Sequence, residues 1–170
     1  MDTGHIRTSV AGVVDYFKQN PGAGRGKDSE AVAALEDGLR CRARAPDGTV
    51  IITDMPKAVG GEEAAPTPGW LMRAALATCD ATMIAMRAAV EGVTLTRLEV
   101  SVDSDSDDRG LVGADDTVPA GPLQVRVKVR MASDASPAKL REIVDWAEGH
   151  SPVGTVFRKG VSTSLQIESN

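Results

Sequence analysis

The sequence predicts one α+β domain. Short β-rich runs in residues 30–54 are joined by hairpin-type turns, and two longer strands of alternating apolar residues follow near 98–102 and 123–131. Between them lies a long helical segment that is apolar around most of its circumference. Strands paired mainly by hairpins, with helices packed on one side, are typical of the α+β class. At 170 residues the chain is long enough to bury one core.

The composition excludes several functional classes. A net charge of -5 argues against sequence-independent nucleic-acid binding, which needs a basic face. No apolar run approaches the roughly 18 residues of a membrane span, and the start of the chain does not resemble a signal peptide. Two cysteines are too few for a zinc cage, and no dinucleotide or phosphate-loop fingerprint is present. We therefore expect a cytoplasmic protein with no cofactor, metal, membrane or nucleic-acid partner.

The first elements follow from local patterns. Apolar residues at helical spacing between Ile6 and Phe17 predict an amphipathic helix that ends at Asn20-Pro21. We expect residues 1–28 to form an N-terminal helical extension and residues 29–170 to form the main domain. In the meander of residues 30–54, Asp37-Gly38 and Asp47-Gly48 are hairpin-turn signals.

The segment from Pro68 to about Gly92 is predicted to be a long buried helix. Thr67 is a suitable N-cap, and Pro68 suits the first helical position. The charged residues fall on one narrow stripe: Arg73, Asp80, Arg87 and Glu91. A helix that is apolar on its other sides must be buried on most of them, and a domain of this size rarely surrounds such a helix alone. The pattern therefore predicts a homodimer.

The second half of the chain continues with strand, helix and strand. Acidic residues on the first long strand and basic residues on the second predict opposite charges across an antiparallel pair, on a solvated face. Ser136-Pro137 predicts the start of a helix whose buried stripe runs from Leu140 to Ala147. Ser151-Pro152-Val153 is interpreted as a turn. Alternation at Val161, Thr163, Leu165 and Ile167 predicts a closing strand.

Cys79 is the candidate for chemistry. It lies on the long helix among small and apolar residues, so one interpretation is a small core hydrophobe. The other is a reactive thiol, which needs a cation nearby because Cys79 is too far from the helix N-terminus for the helix dipole to help. Arg40 and Arg42 alternate on one face of a strand and are candidates for that cation, or they line a solvated face. Cys41 points to the opposite face, and His150 is either a helix cap or a base.

Two motifs give the chain a resemblance to a known family. Gly60-Gly61, the turn at 66–68 and the run 69–79 ending in Cys79 resemble the signature of the OsmC/Ohr family. In that family a Gly-Gly loop and an Asn/Ser-Pro turn lead into a central helix that ends in cysteine. Ser151-Pro152-Val153 resembles the family's Cys-Pro-Val. The resemblance covers roughly residues 30–168.

The resemblance implies an intertwined homodimer of OsmC-like fold that reduces organic hydroperoxides. In the family a first cysteine attacks the peroxide and a second condenses with it as a disulfide, which an external dithiol reduces. An Arg stabilises the thiolate, and a Glu after the Asn-Pro turn holds that Arg.

Only part of this machinery carries over. Cys79 matches the attacking cysteine, and Ser151 matches the resolving cysteine but cannot form a disulfide. Arg40 or Arg42 best matches the Arg. Gly69 stands where the Glu is expected, so the loop carboxylates, Glu62 and Glu63, are possible substitutes; Lys57 matches a second basic position.

Two functional hypotheses follow. The first is a thiol-dependent hydroperoxide reductase, acting in oxidative-stress defence, that uses Cys79 as nucleophile and an external thiol as reductant. The second is a non-catalytic OsmC-like protein that binds an apolar small molecule at the dimer interface, in a pocket that Met72, Met83 and Met86 line.

Overall fold

A computed structural model of the chain describes residues 3–168, which form two compact units. One unit comprises residues 9–75. The other begins with the residues up to Thr8 and continues from Leu76 onward. The predicted α+β class is confirmed, with small antiparallel sheets and helices. None of the helices in the described part of the chain is long and apolar enough to cross a membrane.

The unit of residues 9–75 contains the predicted meander as a three-stranded antiparallel sheet. Its strands, in the order β1-β2-β3, are β1 (Val32–Asp37), β2 (Arg40–Arg44) and β3 (Val50–Thr53). Gly38 and Gly48 adopt φ values of 52° and 89°, a left-handed conformation that glycine reaches without steric cost. Both hairpin-turn predictions are therefore confirmed.

The loop after β3 is built around one buried carboxylate. Asp54 is 2% exposed and accepts backbone N–H groups from Met55, Glu62 and Ala64 at 2.8–3.2 Å. These bonds hold the pKa of Asp54 below its usual range because they stabilise the charged form, and the bond from Ala64 has the largest effect. Gly61 packs so closely that a Cβ there would lie 1.9 Å from the Met55 carbonyl oxygen. The Gly-Gly loop is thus fixed by backbone contacts.

Helix α1 (Gly4–Gln19) confirms the helix predicted near the start of the chain, and helix α2 (Pro68–Glu91) confirms the predicted long helix. Thr67 caps α2 as predicted, since its Oγ1 accepts the Trp70 N–H at 3.1 Å. In α2 the buried residues are Leu76, Asp80, Ile84, Ala88 and Ala89. Because Asp80 is 1% exposed, the stripe of charged residues on α2 does not face solvent at that position.

The unit from Leu76 onward packs α2 against a two-stranded sheet and a helix. Strands β4 (Arg97–Asp105) and β5 (Gln124–Ala132) pair antiparallel, with the short helix α3 (Asp108–Leu111) in their connection. The core cluster joins Ile84 and Ala88 of α2 to Ile143 and Ala147 of helix α4 (Pro137–His150). The buried stripe predicted for α4 is confirmed, and Ser136 caps the helix by accepting the Lys139 N–H at 3.2 Å.

The β4-β5 pair carries the predicted opposite charges on its exposed face. Glu99 lies opposite Arg130, and Asp103 opposite Arg126. Both pairs form salt bridges between exposed side chains. Because exposed ion pairs contribute little to stability, we assign this face a solvated structural role.

Two predictions for the C-terminal region are wrong. Ser151-Pro152-Val153 is not a simple turn, since helix α5 (Pro152–Lys159) begins there with Ser151 as its N-cap. Residues 161–168 form no strand, and Leu165 and Ile167 are 87% and 80% exposed. An alternating pattern needs a neighbouring strand for its hydrogen bonds, and no described strand pairs with this segment.

Candidate active site around Cys79

The Cys79 thiol meets the Ser151 hydroxyl. Ser151 Oγ donates a hydrogen bond to Cys79 Sγ at 3.3 Å. Cys79 is half-buried on α2, and Ser151 is fully buried at the junction of α4 and α5. The fold thus brings together two residues that are far apart in the sequence.

The α5 N-terminus holds the Ser151 hydroxyl in place. Ser151 Oγ accepts the Gly154 N–H at 3.0 Å, the capping bond expected of serine at this position. Its hydrogen is then directed to the sulfur. The hydroxyl therefore supplies one fixed donor to whatever charge develops on Cys79.

Arg158 approaches this cap from the next turn of α5. A Cβ added to Gly154 would lie 2.8 Å from both terminal guanidinium nitrogens of Arg158 and 2.9 Å from Ser151 Oγ. A side chain at position 154 would therefore force Arg158 or Ser151 to shift. Arg158 is anchored there by Glu148, whose carboxylate it binds at 2.9 Å and whose backbone carbonyl it also contacts.

Two carboxyl groups on neighbouring helices interact electrostatically, Asp80 of α2 and Glu148 of α4. Asp80, the residue after Cys79, is buried, and among the described residues neither of its oxygens has a hydrogen-bond partner. Burial, and then the negative charge of Asp80, raise the pKa of Glu148, while Arg158 opposes this shift. The effect is the one expected when two carboxyl groups share a poorly hydrated site.

A cavity of about 470 Å³ lies beside Gly154 and Arg158 of α5. Its polar lining residues are Glu148, Arg158 and Gln124. The rest is mainly apolar, with Leu76, Pro122, Leu123, Val125, Val127, Gly154 and Phe157. The cavity thus combines an apolar wall with a charged edge, as small-molecule sites commonly do.

Arg40 and Arg42 lie in the other unit, on β2, where both bind Glu36 of β1. The hydrogen bond from Arg42 is the main cause that lowers the pKa of Glu36. Arg40 also lines a cavity of about 280 Å³ with Asp54 and Glu62. The two arginines are thus paired with a carboxylate of their own sheet. Their role toward Cys79 stays a prediction.

The other candidate residues have defined surroundings. Cys41 is half-buried on β2, opposite Leu35 on one side and Thr53 on the other. His150 stacks on Trp146 with ring centroids 4.0 Å apart. Met83 packs against the core cluster, and none of the three predicted methionines lines the 470 Å³ cavity.

The sequence did not reveal that Arg158, anchored by Glu148, lies against the Ser151 cap. Asp80 carried a signal, as a charged residue in an apolar helix, but Glu148, whose pKa it raises, is far from it in the sequence. Arg158 reaches the cap because α5 (Pro152–Lys159) forms where the sequence predicts only a turn at 151–153.

Fold and site together define a small α+β protein with a half-buried cysteine on its central helix. The model of the OsmC-like protein family matches residues 60–166, more than half of the chain. The chain therefore belongs to the OsmC-like family. No protein of curated function matches the sequence.

Solved structures show the same fold. An OsmC-like protein from Mycoplasma pneumoniae matches with a TM-score of 0.67 at 17% identity, covering 79% of this chain and 90% of that one. An organic hydroperoxide resistance protein OsmC from Legionella pneumophila matches with a TM-score of 0.58 at 19% identity, covering 80% and 93%. The organic hydroperoxide resistance protein OhrB of Bacillus subtilis matches with a TM-score of 0.52 at 19% identity, covering 84% and 98%.

Proposed function

We propose that the protein is a thiol-dependent reductase of organic hydroperoxides, with Cys79 as the attacking thiol. The observation that carries the proposal is the Ser151 hydroxyl donating to Cys79 Sγ at 3.3 Å in a fold shared with organic hydroperoxide resistance proteins. A sulfur that accepts a fixed hydrogen bond is better suited to carry negative charge than one sealed among apolar atoms.

The reaction has two stages. Cys79 Sγ, as thiolate, bonds to the distal peroxide oxygen, the O–O bond breaks, and the remaining oxygen leaves and becomes an alcohol on protonation. The sulfur is oxidised to a sulfenic acid. Because Ser151 cannot form a disulfide, an external thiol condenses with the sulfenic acid and releases water. A second external thiol then reduces the mixed disulfide and restores Cys79.

Arg40 or Arg42 is proposed to stabilise the thiolate. Arg40 lines a cavity with Asp54 and Glu62, so carboxylates next to it are available for the orienting role that Gly69 cannot fill. We also propose that the active form is a homodimer, since α2 keeps many half-buried apolar residues and Trp70 at its start is 51% exposed.

The test is the rate of sulfenic acid formation at Cys79 in a Cys41→Ser background, with cumene hydroperoxide and with hydrogen peroxide. We expect oxidation much faster than that of free cysteine, and faster with the organic peroxide. Cys79→Ser is the control and should form no sulfenic acid. Oxidation at the rate of a free thiol would show that the proposal is wrong.

The 470 Å³ cavity favours one second candidate, the binding of an apolar small molecule without catalysis. A fluorescent apolar probe such as anilinonaphthalene sulfonate tests it. If binding is the function, the probe binds Cys79→Ser as tightly as the wild type, and replacing Val127 in the cavity wall by Asp weakens it.

A further inference from the structure

The corner between α4 and α5 is held by one arginine. Arg158, in the last turn of α5, donates from one terminal nitrogen to the Glu148 carboxylate at 2.9 Å and from the other to the Glu148 backbone carbonyl. Glu148 lies near the end of α4, three residues before Ser151. Arg158 therefore joins the two helices that meet at Ser151.

The sequence explains why the end of α4 needs this donor. A helical carbonyl normally accepts the N–H of the residue four positions later, and for Glu148 that residue is Pro152, which has no N–H. A carbonyl at a helix end that lacks its helical donor is satisfied from elsewhere. Arg158 supplies the donor. Because its two terminal nitrogens bind two different groups of Glu148, they fix the guanidinium in one orientation.

The same guanidinium lies against the cap that contacts the thiol. The point that a Cβ of Gly154 would occupy is 2.8 Å from both terminal nitrogens of Arg158 and 2.9 Å from Ser151 Oγ. Ser151 Oγ accepts the Gly154 N–H and donates to Cys79 Sγ. Thr155 donates to the Ser151 carbonyl from its N–H at 2.9 Å and from its hydroxyl at 2.8 Å. These contacts of Ser151 depend on how the first turn of α5 is placed relative to α4.

We propose that Arg158 is a positioning residue for Cys79: by binding Glu148 it holds the corner between α4 and α5 in the arrangement in which the Ser151 hydroxyl donates to Sγ. This inference rests on the proposed function, since it concerns the thiol that attacks the peroxide. Arg158 acts through Ser151 rather than on the sulfur itself. The side chains of Arg158 and Glu148 are 41% and 35% exposed, so we expect their ion pair to add little to global stability.

The experiment is a double-mutant cycle that measures the rate of Cys79 alkylation by iodoacetamide as a function of pH, in a Cys41→Ser background. Arg158→Gln should move the rise of this rate to higher pH, because the thiolate loses a fixed donor. At a pH below the rise, the rate should fall roughly threefold to tenfold, as expected for a weakened hydrogen bond to a charged group. In a Ser151→Ala background the same substitution should have no further effect, since the donor through which Arg158 acts is already absent.

Two further variants complete the design. Arg141→Gln removes an exposed arginine of α4 that pairs with Asp145, and as the matched control it should leave the alkylation profile unchanged. Arg158→Lys keeps the charge but not the fork of two nitrogens, and it is the milder change if Arg158→Gln lowers the yield of folded protein. We expect its profile to move in the same direction by a smaller amount. The urea midpoint of each variant shows whether the fold is retained.

The outcomes separate the two proposals. An unchanged profile in Arg158→Gln or in Arg158→Lys would overturn the positioning role. An effect of Arg158→Gln that persists in full in the Ser151→Ala background would also overturn it, because Arg158 would then act without Ser151. Both results leave the proposed function standing if peroxide oxidises wild-type Cys79 rapidly. A wild-type Cys79 that cumene hydroperoxide oxidises no faster than free cysteine overturns the proposed function, whereas the alkylation cycle still decides whether Arg158 positions the thiol.

Discussion

The hydroxyl of Ser151 donates to the sulfur of Cys79 at 3.3 Å while it accepts the Gly154 N–H at 3.0 Å. One side chain therefore caps a helix and solvates a thiol at the same time. Because an alcohol is not oxidised by peroxides under mild conditions, this contact does not close into a covalent bond as a pair of thiols does.

Ser151→Cys should convert the contact into a redox-active pair. Ser151 Oγ lies 3.3 Å from Cys79 Sγ, so a sulfur in place of that oxygen needs to approach by only about 1 Å to reach the roughly 2.05 Å of a disulfide. We expect one equivalent of peroxide to yield an intramolecular 79–151 disulfide, detected by mass spectrometry of unreduced peptides in a Cys41→Ser background. Persistence of a sulfenic acid at Cys79 in this variant would show that the two positions do not approach closely in solution.

Ser151→Ala should affect both stability and reactivity. It removes the cap of α5, which typically costs about 1–2 kcal/mol, and it removes the donor to Cys79. Urea unfolding measures the first effect and the rate of thiol alkylation, expected to fall, measures the second. Ser136→Ala removes the similar cap of α4 and is the control: it should lose comparable stability without changing the reactivity of Cys79. Equal alkylation rates in all three proteins would contradict the role of the hydroxyl as a donor.

Two glycines near the same corner should respond in opposite directions to alanine. Gly154→Ala places a methyl group 2.8 Å from the Arg158 guanidinium nitrogens and 2.9 Å from Ser151 Oγ, and we expect a loss of about 1–3 kcal/mol in the free energy of unfolding. At Gly149, inside α4, nothing lies within 4 Å of an added Cβ, so alanine should stabilise the protein by about 0.4–1 kcal/mol. Denaturant midpoints check both, and a tolerated Gly154→Ala would mean that Arg158 does not rest on the cap.

Local signals account for the parts of the fold that the sequence predicted. The meander of β1 to β3 followed from two Asp-Gly turns, whose glycines adopt the left-handed conformation. The start of α2 at Thr67-Pro68 and of α4 at Ser136-Pro137 followed from N-cap chemistry. Such signals depend on residues a few positions apart, so no knowledge of tertiary structure is needed to read them.

The failures have a physical cause in tertiary context. Ser151-Pro152 carries the same capping signal as Ser136-Pro137, but the helix it opens is only eight residues long, and the sequence predicts only a turn at 151–153. The alternation at 161–167 indicates which side of a strand would be apolar, but it does not supply a neighbouring strand. A strand forms only where another strand offers hydrogen-bond partners to its backbone. Likewise, the chain pattern marks Asp80 as a charged residue in an apolar helix but cannot indicate that it raises the pKa of Glu148, which is far away in the sequence.

The loop around Asp54 should make stability depend on pH. Three backbone N–H groups hold the pKa of this carboxyl below the value of about 3.9 expected for an unfolded chain. The N–H of Ala64 has the largest effect, followed by those of Met55 and Glu62. A depressed folded-state pKa means that the stabilisation is present above pH 4 and is lost as the pH falls through the folded-state value. We expect Asp54→Asn to lower the urea midpoint at neutral pH, because an amide group cannot accept all three N–H groups. The difference in urea midpoint between Asp54→Asn and the wild type should become smaller toward pH 3. Asp28→Asn, at an exposed position, should leave the dependence of the urea midpoint on pH unchanged. A constant gap across this range would show that Asp54 does not contribute through its charge.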